Sequence, residues 1–236
     1  LFPPGRLSLP ALARGDLGAC TPEERAILAA LSVQPRAAAA SRLMQATKLA
    51  RRPFARAIAA LRESGVIAAY GPMVEIQSAA LAAAVRRTLA ADERRARALA
   101  WAGCCEKNGG DGTLLAYHLF AAGAQDRAIA AAVAAVERLR ARGALGSAEA
   151  MLEHLVERCA GAIPAEKLIA LRRDLAEIAS VHGDHARAQE LLRANERAHA
   201  GRGDAAAAAR VRVQLGILAA NLEKPAEALE HFEAAA

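Results

Sequence analysis

LRRDLAEIASVHGDHARAQELLRAN, residues 171–195, and VRVQLGILAANLEKPAEALEHFEAA, residues 211–235, align without a gap. Their spacing of about 40 residues falls within the range of helical solenoid repeats. Leu175 falls on Leu215, Ala176 on Gly216, Ala179 on Ala219, Ala188 on Ala228 and Leu192 on Phe232. One period back, Gly143 falls on Gly183, Ala148 on Ala188 and Leu152 on Leu192. Small residues where two helices cross, with a large one a turn later, are what stacked helix pairs require. The second half of the chain therefore reads as a repeat protein.

The composition agrees. Apolar residues make up 54% of the 236 residues and aromatics only 3%, and much of the apolar content is alanine, the best helix former. An all-α chain packed through small residues and leucine follows. The longest apolar run, residues 128–136, is too short to span a membrane, and no signal-peptide pattern opens the chain. Four cysteines without a C-x-x-C pair suggest no disulfide framework and a reducing, cytoplasmic setting. Net charge is 0 over residues 1–35, +5 over 36–78, +4 over 79–145 and −3 over 146–236. The basic character belongs to the first two-thirds.

Residues 1–20, with scattered Pro and Gly, read as a connecting arm. Thr21, Pro22 and Glu24 then form a capping-box helix start, continued by Ile27, Leu28 and Leu31. A second helix carries Leu43 and Met44, and a third spans about Pro53 to Glu63, ended by Gly65. Val66–Ala69 and Met73–Ile76, joined by Tyr70-Gly71-Pro72, carry a hairpin signal. Three helices followed by a hairpin is the winged-helix order, assigned to 21–78. Helical segments from Ser78 and Asp92 form a linker region over 79–112. Asn108–Gly112 reads as a flexible joint, with Thr113 capping the next helix, Leu114 to Ala122. Gly123 ends that helix, and an alanine-rich one follows over about Asp126 to Arg142. Repeats occupy 113–236 and break off inside an apparent helix. With no initiator Met, the chain is expected to be a piece of a longer polypeptide.

No segment carries a catalytic signature. His182-Gly183-Asp184-His185 gathers two imidazoles and a carboxylate, but it also has the stop and cap expected between repeat helices, and no metal site is assigned. Gly109–Thr113 lacks the lysine and preceding strand of a phosphate-binding loop. The acid-free stretch 36–62 holds Arg36, Arg42, Lys48, Arg51, Arg52, Arg56 and Arg62. Arg51, Arg52 and Arg56 are the candidates for nucleic-acid contact, against a solvated or packing face.

The run TPEERAILAALSV, SRLMQATKLARRPFARAIAALRESGVI, the hairpin and SAALAAAVRRTLAADERRARALAWA resembles a region of the signal-transduction ATPases with numerous domains (STAND). There a nucleotide-binding domain precedes a winged helix, a helical linker and a tetratricopeptide-like superhelix. YHLFAAGAQDRAIAAAVAAVERLRARGALGSAEAMLEHL resembles the start of that superhelix in the maltose-regulator, large LuxR-type and kinase- or cyclase-linked branches. Leu175-Ala176 and Leu215-Gly216 take the tetratricopeptide Leu-Gly place, Ala188 and Ala228 its alanine, and Leu192 and Phe232 its large apolar position. Arg172 and Arg212 stand where that pattern has tryptophan, and Ala179 and Ala219 where it has tyrosine. Together with the longer repeat, this points away from a carboxylate-clamp peptide site.

The resemblance implies a fold of winged helix plus αα-superhelix, and a non-catalytic sensor segment of a signalling ATPase, in transcription regulation or kinase-linked sensing. The superhelix would bind a protein partner or small effector, with Arg173, Glu177, Arg210, Ile217 and Asn221 as concave-face candidates, or as ordinary surface residues. The winged helix would pack on the ATPase domain of the same polypeptide. ATP or ADP is expected on that upstream domain and no cofactor on these residues. A stand-alone protein-binding scaffold and direct DNA binding remain as alternatives.

Overall fold

A computed structural model describes residues 16–109 and 111–236. Among them are twelve α-helices and one three-stranded sheet, and they fall into two compact units that meet in sequence at Ala128/Ile129. Residues 1–15 of the expected arm lie outside the described residues, whereas Asp16–Cys20 form a turn that buries Leu17.

In the first unit, α1 (Pro22–Ser32) starts as the sequence predicts. Thr21 Oγ1 accepts from the Glu24 amide at 3.2 Å, and Glu24 Oε2 accepts from the Thr21 amide at 2.9 Å. Two orphan N–H groups of the first turn are thereby satisfied. The two-residue strand β1 (Ala38–Ala39), α2 (Ala40–Thr47) and α3 (Arg51–Glu63) follow. Next come β2 (Ile67–Tyr70) and β3 (Met73–Ile76). The sheet order is β1-β3-β2, all antiparallel, with Ala38 opposite Val74 and Tyr70 opposite Met73. Gly71 has φ +58°, so Gly71-Pro72 fits a two-residue hairpin loop with glycine first. The sequence reading missed β1, which shields the open side of β3.

Helices α4 (Ala79–Thr88) and α5 (Ala91–Lys107) close over α1. Trp101 on α5 is 2% exposed, and its indole N–H donates to the Ala30 carbonyl at 2.9 Å. That carbonyl belongs to the last turn of α1, where no intrahelical donor exists. One side chain thus both fills the core and terminates a helix. After it, α6 (Gly112–Ala121) packs on α5. Its N-cap is Asp111 rather than the expected Thr113: the Asp111 carboxylate accepts from the Thr113 amide at 2.9 Å. Burial acts to raise the Asp111 pKa, but bonds from Arg36, at 2.7 Å, and Thr113 outweigh it and hold the carboxyl below its usual range. Asn108 bonds to Gln45 across the same turn. The stretch read as a flexible joint is pinned at Asn108 and Asp111.

The chain then enters α7 (Gln125–Ala141), α8 (Leu145–Glu153), a π turn (His154–Arg158) and a 3₁₀ turn (Ala160–Ala162). Helices α9 (Ala165–Val181), α10 (His185–Ala200), α11 (Ala205–Asn221) and α12 (Pro225–Glu233) complete the second unit. Each packs on the next. Most aligned positions are buried: Leu175 with Leu215, Ala176 with Gly216, Ile178 with Leu218, and Ala148, Ala188 and Ala228, whereas Phe232, matched to the buried Leu192, is 39% exposed. Gly143, Gly183, Gly203 and Glu223 all have positive φ. Each donates to the carbonyl three residues back while the next residue reaches five back, the Schellman stop. At 163 the spacing would place another, but Ile163 is extended with φ −104°; the π and 3₁₀ turns end that helix instead. Where Phe232 replaces a leucine, Gly216 replaces an alanine: a Cβ on residue 216 would lie 2.6 Å from the Phe232 ring.

His118 on α6 is wholly buried, stacked on Trp101 with ring centroids 6.0 Å apart, and neither ring nitrogen has a partner among the described residues. Burial lowers its pKa from 6.5 to about 4. The unfolded chain therefore takes up a proton that the folded chain refuses, and stability is full above neutral pH and lost as pH falls from about 6.5 towards 4. Urea unfolding followed by Trp101 emission should show a loss of about 2 kcal/mol between pH 7.5 and pH 5 that His118→Phe abolishes. Glu223 occupies a backbone conformation that costs a non-glycine residue roughly 1 kcal/mol. Glu223→Gly should therefore raise stability by about that amount in a thermal melt, and Gly183→Ala should lower it similarly.

Candidate functional site

Helices α9 and α11 are parallel members of successive repeats, so their outward stripes come into register. On α9 the stripe is Arg173, Glu177 and Val181; forty positions on it is Val213, Ile217 and Asn221. Spacings of four place each set on one face of its helix. Between them runs a groove of about 380 Å³, floored by Ala176, Ala188, Leu192 and Leu218. Arg173, Glu177, Ser180, Val181, Gln214 and Ile217 complete its lining. Val181 is 68% exposed, Ile217 51% and Val213 40%. Branched aliphatic side chains this open, set side by side over an apolar floor, mark a surface suited to a partner.

The polar groups are not equivalent. Arg140, at the end of α7, bonds to Asp174 at 2.9 Å and to Glu177 at 2.7 Å. The two carboxylates share that one guanidinium. Arg173 has only a 3.5 Å contact with Asp174, and its side chain is 61% exposed. The groove therefore offers an underused cation and two amide or hydroxyl groups, Gln214 and Ser180, beside an apolar strip.

Of the five residues singled out from sequence, Arg173, Glu177 and Ile217 line this groove. Arg210 and Asn221 are exposed on α11 outside its lining. Val181, Ser180 and Gln214 were missed. Val181 was within reach, since it follows Arg173 and Glu177 at the same four-residue interval and matches Asn221 by the repeat.

The other candidates are placed as follows. Arg51, Arg52 and Arg56 all lie exposed on α3, with no side-chain ion pair among the described residues. His182 and His185 flank Gly183 in the α9–α10 turn; His182 Nδ1 meets Glu149 Oε2 at 2.8 Å, and Asp184 caps α10 through the Arg187 amide. Among the described residues no three His, Cys, Asp or Glu side chains converge as a metal site. All four cysteines are free, and burial pushes each thiol up, Cys20 to about 11. They stay protonated at neutral pH and are poor nucleophiles. No helix among the described residues is long and apolar enough to cross a membrane.

No family model matches the sequence, and no curated protein does. In fold, the chain is similar to the crystal structure of a Signal Transduction ATPase with Numerous Domains (STAND) protein with a tetratricopeptide repeat sensor from Pyrococcus horikoshii. The match covers 92% of this chain with a TM-score of 0.55 at 15% identity. It takes in 32% of the other chain, so the present chain spans about a third of that protein's length. At this identity the likeness is one of fold: a mostly helical chain of tetratricopeptide-like architecture.

The Arg140 bridge is the part of the site whose energetics are separable. Replacing it leaves Asp174 and Glu177 repelling each other across one turn of α9. Arg140→Gln should lower stability by about 1 kcal/mol, since Asp174 is partly shielded although Glu177 is largely exposed. The loss should shrink in high salt, where repulsion between the freed carboxylates is screened. Thermal melts at two ionic strengths check both.

Proposed function

We propose that this chain is a non-catalytic regulatory segment of a STAND-type signalling ATPase, in which the repeat unit senses an effector or protein partner through the α9–α11 groove. The observation that carries the reading is the coincidence of two things. The fold is similar to that of a protein whose tetratricopeptide repeats are described as a sensor. And the repeat unit has a groove in which Val181 and Ile217 stand open beside Arg173. A ligand with an apolar body and an anionic or amide-bonding group fits that lining. Nucleotide binding and hydrolysis belong to another domain in this reading, and the setting is cytoplasmic.

The first unit is read as a winged helix. Its support is the element order α1-β1-α2-α3-β2-β3 with sheet order β1-β3-β2. It would pack on the ATPase and restrain it, and effector binding on the repeats would shift that equilibrium. Such a shift requires the effector to favour one of the two states. Transcription regulation is the output we propose. Should the polypeptide lack a nucleotide-binding domain, the same groove supports a stand-alone protein-binding scaffold.

A thermal-shift screen of the chain against a library of small metabolites tests the groove. A ligand present at a hundred times its Kd raises stability by about 2.7 kcal/mol. Val181→Asp and Ile217→Asp, both at exposed positions, should abolish that stabilisation while leaving the unliganded melt within about 0.5 kcal/mol. A hit unaffected by either variant rejects the assignment of the groove. Turnover of magnesium–ATP by the chain itself rejects the non-catalytic reading.

A further inference from the structure

A second groove lies in the first unit, between α2 and α3, and owes nothing to the α9–α11 site. It encloses about 360 Å³. Its α3 wall is Arg51, Ala55, Ile58 and Arg62, at successive intervals of four, three and four, with Ala59 beside them. Ala40, Ser41 and Met44 of α2 form the opposite wall, and Phe54 is also in the lining. An arginine stands at each end, about 16 Å apart along the helix. Arg52 and Arg56 add two more exposed cations to the outer side of α3. None of these four arginines has a side-chain ion pair among the described residues. The nearest acid in sequence, Glu63, comes at the last position of α3.

Two chemistries could meet such a surface, and the wall between the arginines separates them. A helix that reads DNA presents donors and acceptors to base edges. Here the groove wall between Arg51 and Arg62 presents Ala55, Ile58 and Ala59, which have neither, and the further donors of these turns, Arg52 and Arg56, stand outside the groove lining. Small aliphatic residues at intervals of three and four are what a helix laid into a groove packs against. Cations at both ends and along one rim, with no internal partner, are complementary to acidic residues on the incoming helix.

We propose that the α2–α3 groove is the docking site of an acidic amphipathic helix presented by a partner protein. About three turns of that helix lie along α3. Its apolar face covers Ala55, Ile58 and Ala59, while its carboxylates pair with Arg51 and Arg62 and, on the outer rim, with Arg52 and Arg56. The alanines allow close approach of the two backbones, so the interface needs no rearrangement of the first unit.

The probe is a fluorescein-labelled four-turn peptide with leucines on one face and glutamates on the other. It is compared with the same peptide carrying lysines for glutamates and with a labelled DNA duplex. Fluorescence anisotropy should show binding of the glutamate peptide, weakening with salt, and none of the lysine peptide. Ala55→Glu or Ala59→Glu, at exposed positions, should weaken the glutamate peptide at least about tenfold, while Arg95→Glu on α5 leaves it unchanged. Circular dichroism and Trp101 emission confirm that the variants are folded. Hydrogen exchange on the unaltered chain gives a second readout, in which protection by the peptide should be confined to α2 and α3. Equal binding of both peptides, binding indifferent to Ala55→Glu, protection elsewhere, or DNA binding tighter than peptide binding would each overturn the proposal.

Discussion

The repeat unit depends on where its helices are made to stop. Schellman stops with positive φ occur at Gly143, Gly183, Gly203 and Glu223, at intervals of 20 or 40 residues. They hold α9, α10 and α11 to 16 or 17 residues. Helices of matched length, turned at fixed intervals, return to the same height. Only then do Ala176 and Gly216, or Ala188 and Ala228, arrive where neighbouring helices cross. The groove between α9 and α11 is a by-product of that regularity: its walls come from equivalent helices of successive repeats, and the matched pair Glu177 and Ile217 both line it. Where the interval is broken, at Ile163, regular helix gives way to π and 3₁₀ turns.

The first unit rests on a different kind of contact. Trp101 reaches across from α5 to take up a carbonyl at the end of α1, and the aromatic stack with His118 brings α6 into the same arrangement. Its outer surface is correspondingly different in chemistry. The first unit exposes a run of arginines on α3 that have no ion pair among the described residues, and the second carries pairs from one element to the next, as in Arg202–Glu166 at 2.6 Å and Arg212–Glu196 at 2.7 Å. Such exposed pairs add little stability individually. Beside the groove, Arg173 is left with only a 3.5 Å contact to Asp174.

Much of this was legible in the sequence, and what was not has physical reasons. The capping box at Thr21, the Gly71-Pro72 hairpin and the forty-residue register are local or periodic signals, and the helices and buried positions follow them. Strand β1 is two alanines with no β propensity of their own, and it exists because β3 offers a partner. Asp111 and Thr113 both fit a cap, and the long-range bond from Arg36 goes to Asp111. The Trp101–Ala30 bond and the buried, unpartnered His118 join positions remote in sequence, and no period predicts them. At the candidate site, the concave stripe gave Arg173, Glu177 and Ile217. How far along α11 the groove extends was not readable, so Arg210 and Asn221 were included, whereas Val181 followed from the four-residue interval on α9 and was left out.

The Gly216–Phe232 contact places a direction on how two repeats can come to differ. The preceding repeat has alanine and leucine at the matching sites, 176 and 192. To pass from that pair to glycine and phenylalanine one residue at a time, one of two intermediates must be visited. Alanine with phenylalanine forces atoms to within 2.6 Å, and a side chain must leave its place. Glycine with leucine leaves only an unfilled space. The path through glycine and leucine therefore avoids moving the ring, and once phenylalanine is seated an alanine beneath it has to displace that half-exposed ring.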